Sequence, residues 1–384
     1  MRAIRAKAIV GGRARVGFCA ALGLAFRLAL AAAAPASAEP AGFDLFAGAD
    51  GEPVARSLGS RAPAGILEPP ASWREEFGSG TPASAEGDDG DSAAAPAAIP
   101  PHHALLSGRT LYLTLGVFAS IPVIGELVWW KGNERGKFHF TDEEWFQHDS
   151  YAGGADKASH FFFGYMVTRE LSKWYGRFGN APAQSRALAA AVSVLGGALV
   201  ELGDGFTDIY GYSWQDVAAN ATGALAAYGI EAAGISDVVG FRFGFVNAEI
   251  PPPCCRAYGY GHDYSEDVYS ADLKLEGVLR RAGVRPGPAR FFLVSMTYGS
   301  KGYRFSPVDV RERNIGVDLG LNMPEILLAV GVPKNKWWGE ALLTIFEYIR
   351  FPYTAFGWQY DLNHHKWHGP STGDRFDPGE VIYP

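Results

Sequence analysis

The residues of this chain best suited to chemistry lie in three short runs: DKASHFFFGYMVTREL, LGGALVELGDGFTDIYG and YSWQDVAANATGALAAY. They are Asp156, Lys157, His160, Glu201, Asp204, Asp208, Ser213, Asp216 and Asn220. Side chains three, four or seven positions apart share a helix face, which makes rows of Asp156, His160 and Gly164, of Gly197, Glu201 and Asp204, and of Asp216, Asn220 and Gly223. If the runs pack up and down, the first and third start where the second stops, and the polar residues form one layer. The carboxylates suit a hard divalent cation, with Glu201, Asp204, Asp208 and His160 as candidate ligands, or a hydrolytic centre with His160 as acid or base. Two helix N-termini and Lys157 suit a ligand of the opposite sign, a phosphate or carboxylate headgroup. A plainer account makes Asp156 and Ser213 helix caps and Asp216 the acid of a capping box. It leaves His160, Glu201 and Asn220 unexplained. Glu201 also faces the negative end of its helix, which calls for a compensating neighbour such as Lys157 or a protonated His160.

The combination GADKASHFFFGY, VELGDGFTDIYGYSWQDVAAN and ATGAL resembles the YfiM-type family of periplasmic lipoproteins, a domain of unknown function, and more distantly the VanZ-like membrane proteins. The pattern D-K-x-x-H, an acid with D-G, then S-x-x-D-x-x-x-N-x-x-G falls on Asp156, Lys157, His160, Glu201, Asp204, Gly205, Ser213, Asp216, Asn220 and Gly223. The upstream FHFTDEEWFQHDSYAGG also looks like that family's approach to its histidine helix. The likeness spans about residues 105 to 235 and implies an envelope protein while saying nearly nothing about its biochemistry.

The elements that must hold these residues can be placed along the 384-residue chain, which is long enough for one large domain or two. Residues 1–38 have the order of an export signal: basic residues from Arg2 to Arg15, an apolar run from Val16 to Ala34, then Ala36-Ser37-Ala38 as a cleavage site. Val16-Gly17-Phe18-Cys19 is a poor lipobox. Removal of the signal would leave adjacent Cys254 and Cys255, whose Cα atoms, about 3.8 Å apart, are too close for an ordinary disulfide. Residues 39–100, rich in Ala, Pro, Gly, Ser and acids, read as a flexible tether, because they cannot bury enough surface to offset their ordering entropy. From Leu105 to Trp130 an apolar stretch is long enough to cross a bilayer, although Pro122 and Glu126 interrupt it.

The fold class expected is α+β: a helical up-down bundle of about four helices over 101–240, then a C-terminal region over 241–384. That region is read as a small antiparallel β region with two amphipathic helices. Residues 241–253 read as a connection and 259–269 as a polar loop. ADLKLEGVL, RFFLVSMTYG and IGVDLGL read as strands, and in the last Ile315, Val317, Leu319 and Leu321 alternate with Gly316, Asp318 and Gly320. Short helices follow from Asn322 to Val330 and from about Asn335 to Arg350. The end reads as a strand and a polar tail, in which His364, His365 and His368 could bind a metal.

Net charge of −7 and a pI near 5.8 give no basic footprint for nucleic acid. No phosphate loop, nucleophile elbow, H-E-x-x-H or CxxC pair occurs. Two function classes remain. One is a structural or interaction protein of the periplasm or outer membrane, whose partner is the envelope membrane or an envelope protein. The other is a VanZ-like inner-membrane protein that binds or processes a lipid or cell-wall precursor with a divalent metal. The small-molecule ligand is not identified by the sequence.

Overall fold

A computed structural model describes residues 107–130, 133–245, 264, 267–303 and 311–371, all within one compact unit. The expected signal, the tether and the Cys254-Cys255 pair lie outside the described residues. The fold is α+β, with seven α-helices among the described residues and a seven-stranded sheet.

Four helices precede the sheet: α1 (Gly108–Ile124), α2 (Ala155–Arg177), α3 (Pro182–Asp204) and α4 (Trp214–Ala232). Ser107 caps α1 through its hydroxyl, and Pro182 starts α3 where a missing N–H costs nothing. After Pro122 the first helix loosens into a π turn over Gly125–Trp129. Contacts run in the same order along α2 and α4, Lys157 with Asp216 and His160 with Asn220. They run in opposite order along α2 and α3, His160 with Glu201 and Gly164 with Ser193. The crossing of α2 on α4 needs glycine: a Cβ on Gly164 would meet the Asn220 carbonyl oxygen at 2.2 Å, and one on Gly223 that of Phe161 at 1.9 Å.

Strands β1 (Phe140–Thr141) and β2 (Tyr212–Ser213) form a short parallel pair that draws the segment before α2 onto the start of α4. The large sheet comprises β3 (Val239–Phe245), β4 (Asp267–Lys274), β5 (Phe292–Lys301), β6 (Glu312–Leu321), β7 (Ile349–Arg350), β8 (Ala355–Asp361) and β9 (Lys366–Ser371). Its order is β7-β3-β4-β5-β6-β8-β9, antiparallel throughout except where β7 joins β3. Helices α5 (Leu275–Arg281), α6 (Met323–Ala329) and α7 (Trp337–Tyr348) fill the connections.

Several local expectations change. Strand β3 (Val239–Phe245) takes in residues 241–245, the start of the expected connection, β4 begins within the supposed loop, and Leu275–Arg281 is a helix. The alternation around Ala271–Lys274 gives way at Leu275 because Glu276, Arg280 and Arg281 sit at helical spacing and suit the two ends of the dipole. The C-terminal histidines belong to a hairpin, β8 to β9, rather than a tail.

The sheet is inverted relative to a water-soluble one. Along β6, Ile315, Val317 and Leu319 are exposed while Asn314 and Asp318 are buried. Their cross-strand partners follow suit, with Met296 and Val294 exposed and Ser295 and Thr297 buried. The same alternation holds on β8, where Phe356 and Trp358 are exposed and Gln359 and Asp361 buried. Curvature explains it. Arg350 on β7 lies 2.8 Å from Asp318 on β6, yet those strands are four steps apart in the sheet, which is about 19 Å if flat. Side chains alone cannot span that distance, so the sheet curls around its polar face. Inside it, Arg242 bonds both oxygens of Asp272, at 2.5 and 3.1 Å, and Ser295 donates to Asp272 at 2.6 Å.

Part of the apolar face is covered by α2: Phe162 and Tyr165 pack with Phe241, Phe243 and Tyr269. The rest borders an open cleft of about 860 Å³ between α2, α4 and the sheet, walled by Trp145, Phe161, Met296, Val317 and Trp367 among others.

Candidate functional site

The approach to α2 is bent by Ala152, Gly153 and Gly154, all with positive φ. Ala152 takes that conformation at a steric cost that alanine seldom pays. Its carbonyl accepts a hydrogen bond from Ser300 at 2.6 Å, and that of Gly153 accepts one from Tyr298. The bend thus pins the start of α2 to β5 and turns Asp156 and Lys157 inward.

Lys157 is the centre of the site. It is 1% exposed, and its Nζ lies 2.8 Å from Asp156 Oδ2 and 2.6 Å from Asp216 Oδ1, with Glu143 as a third carboxylate partner. Burial alone would lower the lysine pKa, but Asp156, Asp216 and Glu143 outweigh it and hold the ammonium charged. Burial works against ionised Asp156 too, and there His160 and Lys157 outweigh it, keeping that carboxyl below its usual range. Tyr264 donates a further hydrogen bond to Asp156.

His160 stands beside this core and is 22% exposed at its side chain. Its Nδ1 is 2.9 Å from Asn220 Nδ2 and 3.7 Å from Glu201 Oε1, while Nε2 is 3.6 Å from Asp156 and 3.9 Å from Asp216. The direction of the Asn220 hydrogen bond follows the tautomer of the ring, and Nε2 is the nitrogen turned towards the aspartates. Glu201 is buried and its Oε1 has no hydrogen-bond partner. Burial, with Asp216 and Asp204 adding repulsion, pushes its pKa up to about 10. Glu143 is raised to about 9 for the same reasons, with Asp156 and Asp216 as the repelling charges. Burial also raises Asp216, and it takes Asp204 to about 6 against the opposing bond from Trp130 Nε1 at 2.5 Å.

The structure therefore brings together Asp156, Lys157, His160, Glu201, Asp216 and Asn220, with Asp204 at the margin. Ser213 sits below the cluster as the N-cap of α4, its hydroxyl accepting from Asp216 N at 3.3 Å. Asp156 is not a cap, since Gly154 holds that position and Asp156 lies in the first turn. Asp208 stands apart, exposed on the loop after α3, where its amide bonds Glu134. The candidate metal set of Glu201, Asp204, Asp208 and His160 is thus not assembled as a unit. Within this layer, the ligating atoms that lie within 4.8 Å of one another are those of Asp156, His160 and Asp216.

Glu143 and Tyr264 are members that helical spacing could not reveal. Glu143 precedes α2 and arrives because β1 pairs with β2. The TDEEW segment carried the signal, three acids next to a β-branched residue, without saying which acid turns inward. Tyr264 comes from the far side of β3 and has no local signal at all.

A second ionic cluster binds the other end of α2 to the sheet. Arg169 is 3.0 Å from Glu347 on α7 and 3.5 Å from Glu231 on α4, and Lys274 on β4 reaches Glu347 at 2.7 Å. Tyr348 donates to Glu170 at 2.8 Å. These bonds fix α7 against the helices.

No curated protein and no solved structure matches this chain. Two helices, α1 with its π turn through Leu127 and α3, are long and apolar enough to cross a membrane by length and composition. Residues 142–231, roughly a quarter of the chain, match the model of a family described as predicted periplasmic lipoprotein (DUF2279), which supports an exported, envelope-associated protein and assigns it no specific role.

Proposed function

We propose that this chain is a structural or interaction protein of the bacterial envelope that rests its inverted sheet against a lipid membrane. The resemblance to YfiM-type lipoproteins supports the compartment. The sheet supports the membrane: Met296, Val317, Leu319, Phe356, Trp358 and Trp367 are each at least half exposed on one face, a contiguous apolar, aromatic surface of the kind that marks a membrane or protein contact. Aromatic side chains with one polar edge suit the level of lipid headgroups. The Lys157 layer serves as the lock that holds the helices, the β1 segment and Tyr264 in one frame.

Fractionation of cells expressing the full chain tests this. The protein is expected in the membrane pellet and resistant to a high-salt wash, because its contact is apolar, whereas recovery in the soluble periplasmic fraction overturns the reading. A second reading, VanZ-like binding or processing of a lipid or cell-wall precursor with a divalent metal, draws on the unpartnered Glu201 Oε1 and on partly exposed His160. Lys157 already fills the cation position among Asp156, Asp216 and Glu143, so this reading ranks behind the first.

A further inference from the structure

Another set of ligating side chains lies at the far edge of the sheet, on its polar face. Glu312 and Asn314 are two apart on β6, Asp361 stands directly opposite Asn314 on β8, and His368 stands opposite Gln359 on β9. The pleat puts all of them on one side. Ligating atoms of Glu312, Asp361 and His368 lie within 4.8 Å of one another.

Two atoms there ask for a partner. Asn314 is 3% exposed; its Nδ2 donates to Glu312 Oε2 at 3.3 Å, and its Oδ1 has no donor. His368 Nε2 is likewise shut off from solvent without a hydrogen bond. Asp361 is 1% exposed and is held in place from outside the group, Oδ1 by the Asn363 amide at 2.8 Å and Oδ2 by His364 Nδ1. Carboxylate, amide oxygen and the bare nitrogen of an imidazole are all lone-pair donors. What would complete the group is a species that accepts several lone pairs at once.

We propose that Glu312, Asp361 and His368 bind a divalent transition ion of the zinc class, with Asn314 Oδ1 in or next to the coordination shell. Two carboxylates and one imidazole form a donor set that zinc takes, at about 2.0–2.2 Å per bond. Tetrahedral bonds of that length place ligand atoms about 3.4 Å apart, so the side chains need close by no more than about 1.4 Å on binding. Glu312 and His368 are only partly buried and can make that movement. Asp361 is oriented by the imidazole of His364, the outer-shell support that metal ligands usually have. The ion ties β6, β8 and β9 together and secures the last strand of the sheet. Lys301 and Lys366 stand opposite Glu312 and Asp361 in the register, at the rim of the group.

Untagged full-length protein, stripped with chelator and titrated with Zn²⁺ alone, provides the test, with bound metal counted by elemental analysis. One Zn²⁺ per chain is expected. His368→Gln and Asp361→Asn should abolish it, His364→Ala should weaken it roughly 10-fold, and Asp216→Asn should leave it unchanged. Zn²⁺ should also slow amide exchange in residues 366–371. Circular dichroism identifies any variant that fails to fold, and His368→Gln, on the edge strand, decides the matter if Asp361→Asn does. Absence of stoichiometric Zn²⁺, loss of the ion in Asp216→Asn with retention in His368→Gln, or retention in Asp361→Asn with loss on replacing exposed His365 each overturns the proposal.

Discussion

In the helical layer one ammonium, Lys157, faces Asp156, Asp216 and Glu143, with Glu201 and Asp204 close behind. In the curled sheet each buried arginine has an aspartate of its own, Arg242 with Asp272 and Arg350 with Asp318. Buried acids outnumber buried bases in both regions, but in the helical layer several crowd around one ammonium, whereas in the sheet Arg242 and Arg350 each face one aspartate. A buried excess of carboxylates can persist only if some stay protonated. In the helical layer this falls on Glu143 and Glu201 above all, while in the sheet burial raises Asp318 even with Arg350 opposing it. The two regions also differ at their surfaces. The helices bury a polar core within their bundle, whereas the sheet buries its polar face by curling and leaves its apolar face outside.

The largest effect should come from Lys157→Met, which strands Asp156 and Asp216. A loss of about 3–5 kcal/mol is expected in urea unfolding. Arg350→Met should cost somewhat less, about 3 kcal/mol, and adding Asp318→Leu should restore most of it, because a whole buried pair can be replaced by apolar groups. No single acid replacement should rescue Lys157→Met, since its partners are several. Equal rescue in both regions would erase the proposed difference.

Next in size is the response to pH. Glu143 and Glu201 have folded pKa values near 9 and 10 against 4.5 unfolded. The folded state therefore binds more protons than the unfolded state between those values. Their contribution is complete below about 4.5 and is lost as pH rises towards 9 to 10. Each group can cost at most about 1.4 kcal/mol per pH unit over that window. Unfolding free energies at pH 5.5 and 8.5 should show the fall, and Glu201→Gln should flatten it. In the opposite limb, Asp156 and Glu347 are depressed by their cationic neighbours despite burial. The stability they bring is present above their unfolded values near 4 and disappears as pH drops further. The smallest stability effect belongs to the exposed sheet face, where Met296→Asp or Val317→Asp should change unfolding by less than about 0.5 kcal/mol.

Much of the helical layer was legible because helix spacing is local: His160, Glu201 and Asn220 sit too far inside their runs to be caps, and they meet. Glu143 and Tyr264 were not, since strand pairing and a long return of the chain bring them in. In the C-terminal region the two-residue period around Ile315 was plain, but alternation alone does not say which face is buried. Gly316, between Ile315 and Val317, and Gly357, paired with Asp318, were the available hint: a Cβ on Gly316 would meet Thr297 Oγ1 at 2.5 Å, and one on Gly357 would meet the Asp318 carboxylate. Crowding of that kind marks the concave side. Arg350 could not be found by pattern, because the strand that carries it is two residues long.

The outward apolar face of the sheet is most directly tested by flotation of the purified full chain with phospholipid vesicles. The wild type should rise with the lipid in high salt, and the Met296→Asp/Val317→Asp double variant, with an unchanged unfolding curve, should stay at the bottom of the gradient. If the wild type fails to float, or the double variant floats equally well, the sheet is not the surface that meets the membrane.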